Sequence, residues 1–77
     1  MMESKIREFF IQKNVDKGLE NDTDLFKNNV VDSLFAFEMV VYLEGAFGVR
    51  IPDKQISEDN FRSINSIAAM IRRLKGE

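Results

Sequence analysis

From Glu3 to about Asn14 the apolar residues Ile6, Phe9 and Phe10 fall at i, i+3 and i+4, with Lys5, Arg7, Glu8 and Lys13 on the other faces. That spacing predicts an amphipathic first helix. The periodicity stops at Val15, and up to Asp32 the chain gathers Gly18, Asn21, Asp22, Asp24, Asn28 and Asn29, which predicts a long loop. Leu25 and Phe26 are apolar exceptions in it and are expected to pin it to the core. A second helix is predicted from Ser33 to about Phe47, because Leu34 to Ala46 holds no proline, Gly45 only weakens the last turn, and Gly48 supplies a stop. Ile51-Pro52 imposes extended backbone. Ser57-Glu58-Asp59 then predicts a capped short helical turn reaching Phe61, too short to stand alone. Ser63 caps a last helix on which Ile64, Ile67, Ala68, Ile71 and Leu74 share a face, with Gly76 as its stop. The elements are all α-helical.

The second helix carries more apolar surface than one core can cover. At about 100° per residue, Ala36, Met39, Val40, Leu43 and Phe47 form one stripe, while Leu34, Phe37 and Val41 lie roughly opposite, near Glu38, and Phe35 and Tyr42 share a flank. A domain with so few elements cannot bury all of these, so Leu34, Phe35, Phe37, Glu38 and Val41 are expected to form a partner-docking face. The alternative is that Phe35 or Phe37 tucks under the long loop and enlarges the core.

Composition narrows the chemistry. The 77 residues suffice for one domain, and 44% hydrophobic residues including seven Phe place it among folded proteins. There is no Cys and no His, which removes disulfides, thiolate and imidazole metal sites, Cys nucleophiles and Ser-His pairs. A net charge of −2 gives no cationic excess for nucleic acid. The one basic cluster, Arg72, Arg73 and Lys75, complements the carbonyls at a helix carboxyl terminus. The first residues show no basic segment followed by an apolar run, and no stretch approaches the roughly 18 apolar residues of a membrane span. A cytoplasmic monomer is expected.

A structureless loop this long is usually functional, which directs attention to its far end, Asp32-Ser33. A serine at a loop-to-helix junction exposes its hydroxyl where free N–H groups and the helix dipole favour a phosphodiester, and the neighbouring Asp32 could help a transferase hold a divalent metal. Either residue could also be an ordinary N-cap.

In this setting the chain resembles the acyl carrier protein family. Asp32-Ser33-Leu34 opens a hydrophobic helix that ends in Leu43-Glu44-Gly45-Ala46-Phe47-Gly48-Val49, followed by Ile51-Pro52. The stretch from Ile56 to Ile67 is similar to the later helices of aminoacyl, peptidyl and D-alanyl carriers. Fatty-acid carriers fit less well, since Phe35, Tyr42, Gly45 and Ala46 stand where those are commonly acidic. The resemblance implies a four-helix carrier bundle across residues 1–77, with three principal helices and one short one. It also implies a 4'-phosphopantetheine arm from coenzyme A on Ser33, supported by Asp32, holding acyl or aminoacyl cargo as a thioester for fatty-acid or nonribosomal peptide assembly. The implied partners are a phosphopantetheinyl transferase, a loading ligase and a downstream transferase or condensing enzyme; the protein itself is expected to catalyse nothing. Where the family commonly has Gly two residues before the Asp, this chain has Val30, which resists positive φ, so Asn28 or Asn29 is expected to take the left-handed turn.

Three other readings are weighed. A small interaction module could use the apolar helix with Ser33 as a mere cap. A calcium loop at Asp22 and Asp24 lacks a ligand at Phe26, the glycine at Lys27 and the terminal Glu at Ser33, and is discarded. An enzyme using Asp32 with Ser33 lacks a neutral-pH base nearby. Finally, Phe26, Phe37, Phe47 and Phe61 are expected to fill the interior, so that cargo is presented at the surface beside the second helix.

Overall fold

The computed structural model describes residues 2–76. Met1 and Glu77, the outermost positions of the expected domain, lie outside the described residues. Three α-helices are formed, α1 (Met2–Gln12), α2 (Ser33–Phe47) and α3 (Ile64–Leu74), with a short 3-10 helix at Asp53–Gln55. There is no strand among the described residues.

The ends of these elements follow from single residues. Helix α1 stops two residues before the expected Asn14 because Asn14 adopts φ 60° and turns the chain. Asn14 N–H then donates to Ile11 O at 3.0 Å and Val15 N–H to Phe10 O at 3.0 Å, the paired bonds of a Schellman cap. The same device recurs in the long loop. Asp24 Oδ1 accepts from Phe26 and Lys27 N–H at 3.1 and 2.9 Å, and Asn29 closes the turn at φ 57°. Asn29 therefore takes the left-handed position beside Val30, as its small polar side chain allows. Gly48, at φ 64°, ends α2 where expected.

The capped helical turn expected from Ser57 to Phe61 is present: Phe61 N–H donates to Ser57 O at 3.1 Å and Ser57 Oγ accepts from Asn60 N–H at 3.2 Å. A single closed turn is too little to propagate a helix, and the 3-10 helix at Asp53–Gln55 follows directly from Pro52.

The core joins Ile6, Phe9 and Phe10 of α1, Ala36, Met39 and Leu43 of α2, and Ile64, Ile67, Ala68, Met70 and Ile71 of α3. Leu74 and Phe47 are only half-buried. Of the four Phe expected to fill the interior, only Phe61 is buried; Phe9 and Phe10 take that role, Phe26 and Phe47 are half-buried, and Phe37 is exposed. Phe37 projects from the face of α2 turned away from α1, so no core element reaches it.

The long loop is tied down along its length. Leu19, Leu25 and Val31 are buried, Leu25 N–H donates to Arg62 O at 2.7 Å, and Asn65 N–H donates to Asn21 O at 2.9 Å. Arg7 of α1 donates to Leu19 O and Asn21 Oδ1 at 2.6 and 2.7 Å. Arg62 pairs with Asp24 at 3.4 Å and Asp59 at 2.9 Å, joining the loop to the segment before α3.

Two outcomes are expected. Asp32, and not Ser33, caps α2: its Oδ1 accepts from Phe35 N–H at 2.9 Å. Asp32→Ala should therefore cost about 1 kcal/mol in urea denaturation, while Ser33→Ala should leave the midpoint within a few tenths of a kcal/mol. The Asp24 carboxyl is held below the usual carboxylate range, first by Lys27 N–H, which burial opposes in part, and then by smaller effects of the Arg62 guanidinium and Phe26 N–H. Because the unfolded chain binds this proton more readily, the stabilisation is present above about pH 4 and fades as pH falls through the folded value. Asp24→Asn should lower the urea midpoint near neutrality and flatten its decline in acid. Some slope should remain, because Glu3 is shifted the same way by its own N–H and by Arg72.

Candidate functional site

Ser33 is the first residue of α2, and its exposed hydroxyl makes none of the side-chain hydrogen bonds found among the described residues. With Asp32 occupied as the cap, the hydroxyl has no structural duty. It projects at a helix amino terminus whose remaining N–H groups and dipole suit an anion. That is an accessible oxygen placed where a phosphodiester is stabilised.

Below Ser33 the face of α2 turned from the core is apolar. Leu34, Phe37 and Val41 are 68%, 59% and 72% exposed, too much for residues of this size to be core. Phe35 departs from this stripe: it is half-buried, with its ring 5.2 Å from Phe9 in edge contact and 5.5 Å from Phe10. Tyr42 lies on the same flank and donates to Lys5 O at 2.7 Å. Both clamp α2 to α1.

The two carboxylates of α2 are both engaged within the chain. Glu38 pairs with Lys13 at 3.0 Å, both side chains being largely solvated, and Glu44 accepts from Ile51 N–H at 2.9 Å. The exposed side of the helix thus presents an apolar ridge and little free negative charge. Asp24 spends its carboxylate on Phe26 and Lys27 N–H and on Arg62, and no grouping of acidic side chains suited to hold a metal occurs among the described residues.

Two open grooves flank α2 on the side of the segment that precedes α3. The first, of about 380 Å³, begins at Asp32 and Ser33 and is walled by Phe26, Ala36, Phe37 and Phe61. The second, of about 480 Å³, is walled by Val40, Val41, Val49 and Ile51, with Arg50 at its edge. Phe37 and Ile56 line both. Sequence periodicity could not find the wall formed by Arg50, Ile56, Ser57 and Glu58, since these residues belong to no long helix. An exposed serine at a helix start beside an open, largely apolar groove fits a flexible, partly apolar group esterified through phosphate.

No helix among the described residues is long and apolar enough to cross a membrane. Residues 11–71 match the family model described as a phosphopantetheine attachment site. The D-alanyl carrier protein of Lactococcus lactis subsp. lactis is 36% identical over 56 residues, covering 73% of this chain and 71% of that protein. A probable acyl carrier protein, PigG, of a Serratia species is 35% identical over 78 residues, covering 97% of this chain and 90% of that protein. The D-alanyl carrier protein of Streptococcus sanguinis is 33% identical over 54 residues, covering 70% of this chain and 68% of that protein. By its sequence and helical architecture alike, the chain belongs to the phosphopantetheine-attachment family of carrier proteins, which bear that cofactor and present cargo to partner enzymes such as transferases and ligases.

Proposed function

We propose that Ser33 is the attachment residue and that the 77 residues form one carrier domain, monomeric and cytoplasmic, which performs no catalysis of its own. The observation that carries this reading is the exposed, unoccupied hydroxyl of Ser33 at the start of α2, with the capping role taken by Asp32. Attachment replaces the Oγ–H bond of Ser33 by an Oγ–P bond as the pyrophosphate P–O bond of coenzyme A breaks and adenosine 3',5'-bisphosphate leaves with the proton released, and it removes no hydrogen bond from the fold. Helix α2 contributes N–H groups and its positive end to the new phosphodiester. Asp32 remains beside it as the cap and is available to the transferase that delivers the arm from coenzyme A. When bound, the arm supplies the thiol that a chain without cysteine lacks, and cargo travels on it as a thioester.

An acyl or aminoacyl cargo, loaded by a ligase and passed to a transferase or condensing enzyme, follows from the same reading. The aminoacyl style is supported by the names of the D-alanyl relatives and by the scarcity of free acid on α2, where Glu38 and Glu44 are both engaged. The partner surface on the carrier is Leu34, Phe37 and Val41, with Glu38 at its edge and Phe35 bracing it from beneath. The loading enzyme is its occupant, because whatever acts on the arm must approach Ser33 along this face of α2.

Intact mass after incubation with coenzyme A and a phosphopantetheinyl transferase tests the attachment. The wild-type chain should gain one arm, and Ser33→Ala should gain none while keeping its melting temperature. If the wild-type chain gained nothing, the reading as an unmodified interaction module would replace this one. Docking is tested by transfer kinetics. Burying a Phe or Val side chain is worth on the order of 1.5–3 kcal/mol, whereas an exposed pair such as Glu38–Lys13 contributes at most about 1 kcal/mol. Phe37→Ala should slow transfer by the loading enzyme by about tenfold or more, Val41→Ala by somewhat less, and Glu38→Gln least, with weak dependence on salt. All three should melt near the wild type, because none of these side chains is in the core.

A further inference from the structure

Leu34, Phe37 and Val41 recur at intervals of three and four residues, so they form a line along α2, about 10 Å long at 1.5 Å of rise per residue. The next position of that line is Gly45, which is exposed and around which a Cβ would meet nothing within 4 Å. The ridge therefore has three large side chains toward its amino end and bare backbone at its carboxyl end. Such a surface fits its own reverse. A second α2 laid antiparallel puts Leu34 against Val41 of the other copy and brings the loop before Ser33 over the bare position.

Charge follows the same two-fold relation. On the flank of the ridge away from α1, the end at Ser33 is bordered by Asp32 and Glu58, and the far end by Arg50. Glu58 is exposed, with Arg62 4.0 Å away, and for exposed Arg50 no ion pair or hydrogen bond is found among the described residues. A two-fold axis crossing α2 near Phe37 keeps this flank on one side in both copies and reverses its ends. Arg50 of each copy then faces Asp32 and Glu58 of the other, and the contact occurs twice. On the flank beside α1, each Glu38 is already paired with Lys13 at 3.0 Å, so two ion pairs meet there in place of two bare carboxylates. Asp53, which shares the groove of Arg50, opposes the pairing, while Glu44 there is tied to Ile51 N–H.

We propose that the apolar ridge of α2 pairs with the ridge of a second copy of this chain, antiparallel and two-fold symmetric, and that Arg50 sets the register against Glu58. The pair is weak. A covered Phe removes about 150–250 Å² from water, so three side chains exposed by about two-thirds bury on the order of 350 Å² per copy, less than half of the roughly 800 Å² of a stable interface. Half-dissociation is expected at about 1 mM, so the monomer remains the form that meets partner enzymes at lower concentration. Because the pair covers the face beside Ser33, it withdraws chains from arm attachment and docking as their concentration rises. The pairing itself does not depend on Ser33 carrying an arm.

The test follows amide resonances and translational diffusion of the whole unmodified chain by NMR from about 0.05 mM to about 2 mM, a span that brackets that constant. Leu34, Phe37, Val41, Gly45 and Arg50 should shift along one binding curve while diffusion slows, and exposed Ile11 of α1 should stay still. Arg50→Glu and Glu58→Arg should each weaken pairing by about fivefold or more, and the double variant should restore it, since the two charges face one another between copies. Asp53→Asn should strengthen pairing. Gly45→Gln should weaken it while raising the melting temperature, because glutamine is the better helix former and its side chain fills the bare position. Shifts and diffusion that stay constant up to about 2 mM would overturn the proposal and leave the ridge to partner enzymes alone. Concentration dependence that Arg50→Glu and Glu58→Arg leave unchanged would also overturn it, as non-specific association of apolar side chains. Failure of the Ser33 assignment would show separately, as absence of a mass increment, and would leave this result standing.

Discussion

Burial of Leu25 is the contact through which the rest of the molecule is arranged. Its side chain is completely buried, its N–H donates to Arg62 O at 2.7 Å, and its carbonyl accepts from Val30 and Val31 N–H at 2.8 and 3.2 Å. One residue of a long loop is thereby fixed both to the segment before α3 and to the turn before α2. Ordering a loop costs on the order of 1–2 kcal/mol per residue in backbone entropy, and the buried side chains of Leu19, Leu25 and Val31 offset part of it. Together with buried Val31, this anchor sets where Asp32 meets the first turn of α2 and so the direction of Ser33. The exposure of one hydroxyl thus depends on an aliphatic contact eight residues earlier in the chain.

Helix α2 shows how a small bundle divides a side-chain set that exceeds its interior. Ala36, Met39 and Leu43 satisfy the core, and Phe35 with Tyr42 fastens the helix to α1 through Phe9 and Phe10. Leu34, Phe37 and Val41 have no element left to cover them. Keeping three such side chains in water gives up hydrophobic stabilisation that a fourth full helix across that face would supply. The segment between α2 and α3 could have become that helix. It remains a 3-10 helix and a single turn, and the space it leaves is the pair of grooves beside Ser33.

Most of the helical frame was legible from local chemistry. The bounds of α2 rest on Asp32-Ser33 and Gly48, the face of α3 on the spacing of its Ile residues, and the left-handed position in the loop on Asn29, the small polar neighbour of a β-branched Val30. The end of α1 was misjudged because an Asn can either continue a helix or close it, and only the donor groups of Asn14 and Val15 finding Ile11 and Phe10 carbonyls decide between the two. Spacing sets Phe35 on a flank with Tyr42 and Phe37 opposite the core stripe, but it does not decide which of the two is covered. Phe35 turns inward because Phe9 and Phe10 present ring edges and faces to it, a tertiary circumstance without a trace in α2's own spacing. Of the candidate site, the exposed position of Ser33 at the start of α2 and the exposure of Leu34, Phe37 and Val41 could be read in advance. The grooves could not, because their outer wall is irregular backbone.

The engagement of Glu38 and Glu44 bears on how such a carrier is recognised. A carboxylate tied to Lys13, just past the end of α1, or to a backbone N–H, must be released before it can pair with an enzyme, and the gain from the new pair is reduced by the loss of the old one. An apolar side chain that is already exposed carries no such cost. Leu34, Phe37 and Val41 can be buried by a partner without breaking any contact in the free carrier, so the free energy of docking comes almost undiminished from their removal from water. Because an apolar contact is short-ranged and scarcely screened by salt, it selects by shape. On the reading proposed above, recognition is set by how well a partner's surface fits the ridge beside Ser33, and the hydroxyl at its end is the point to which that fit guides chemistry.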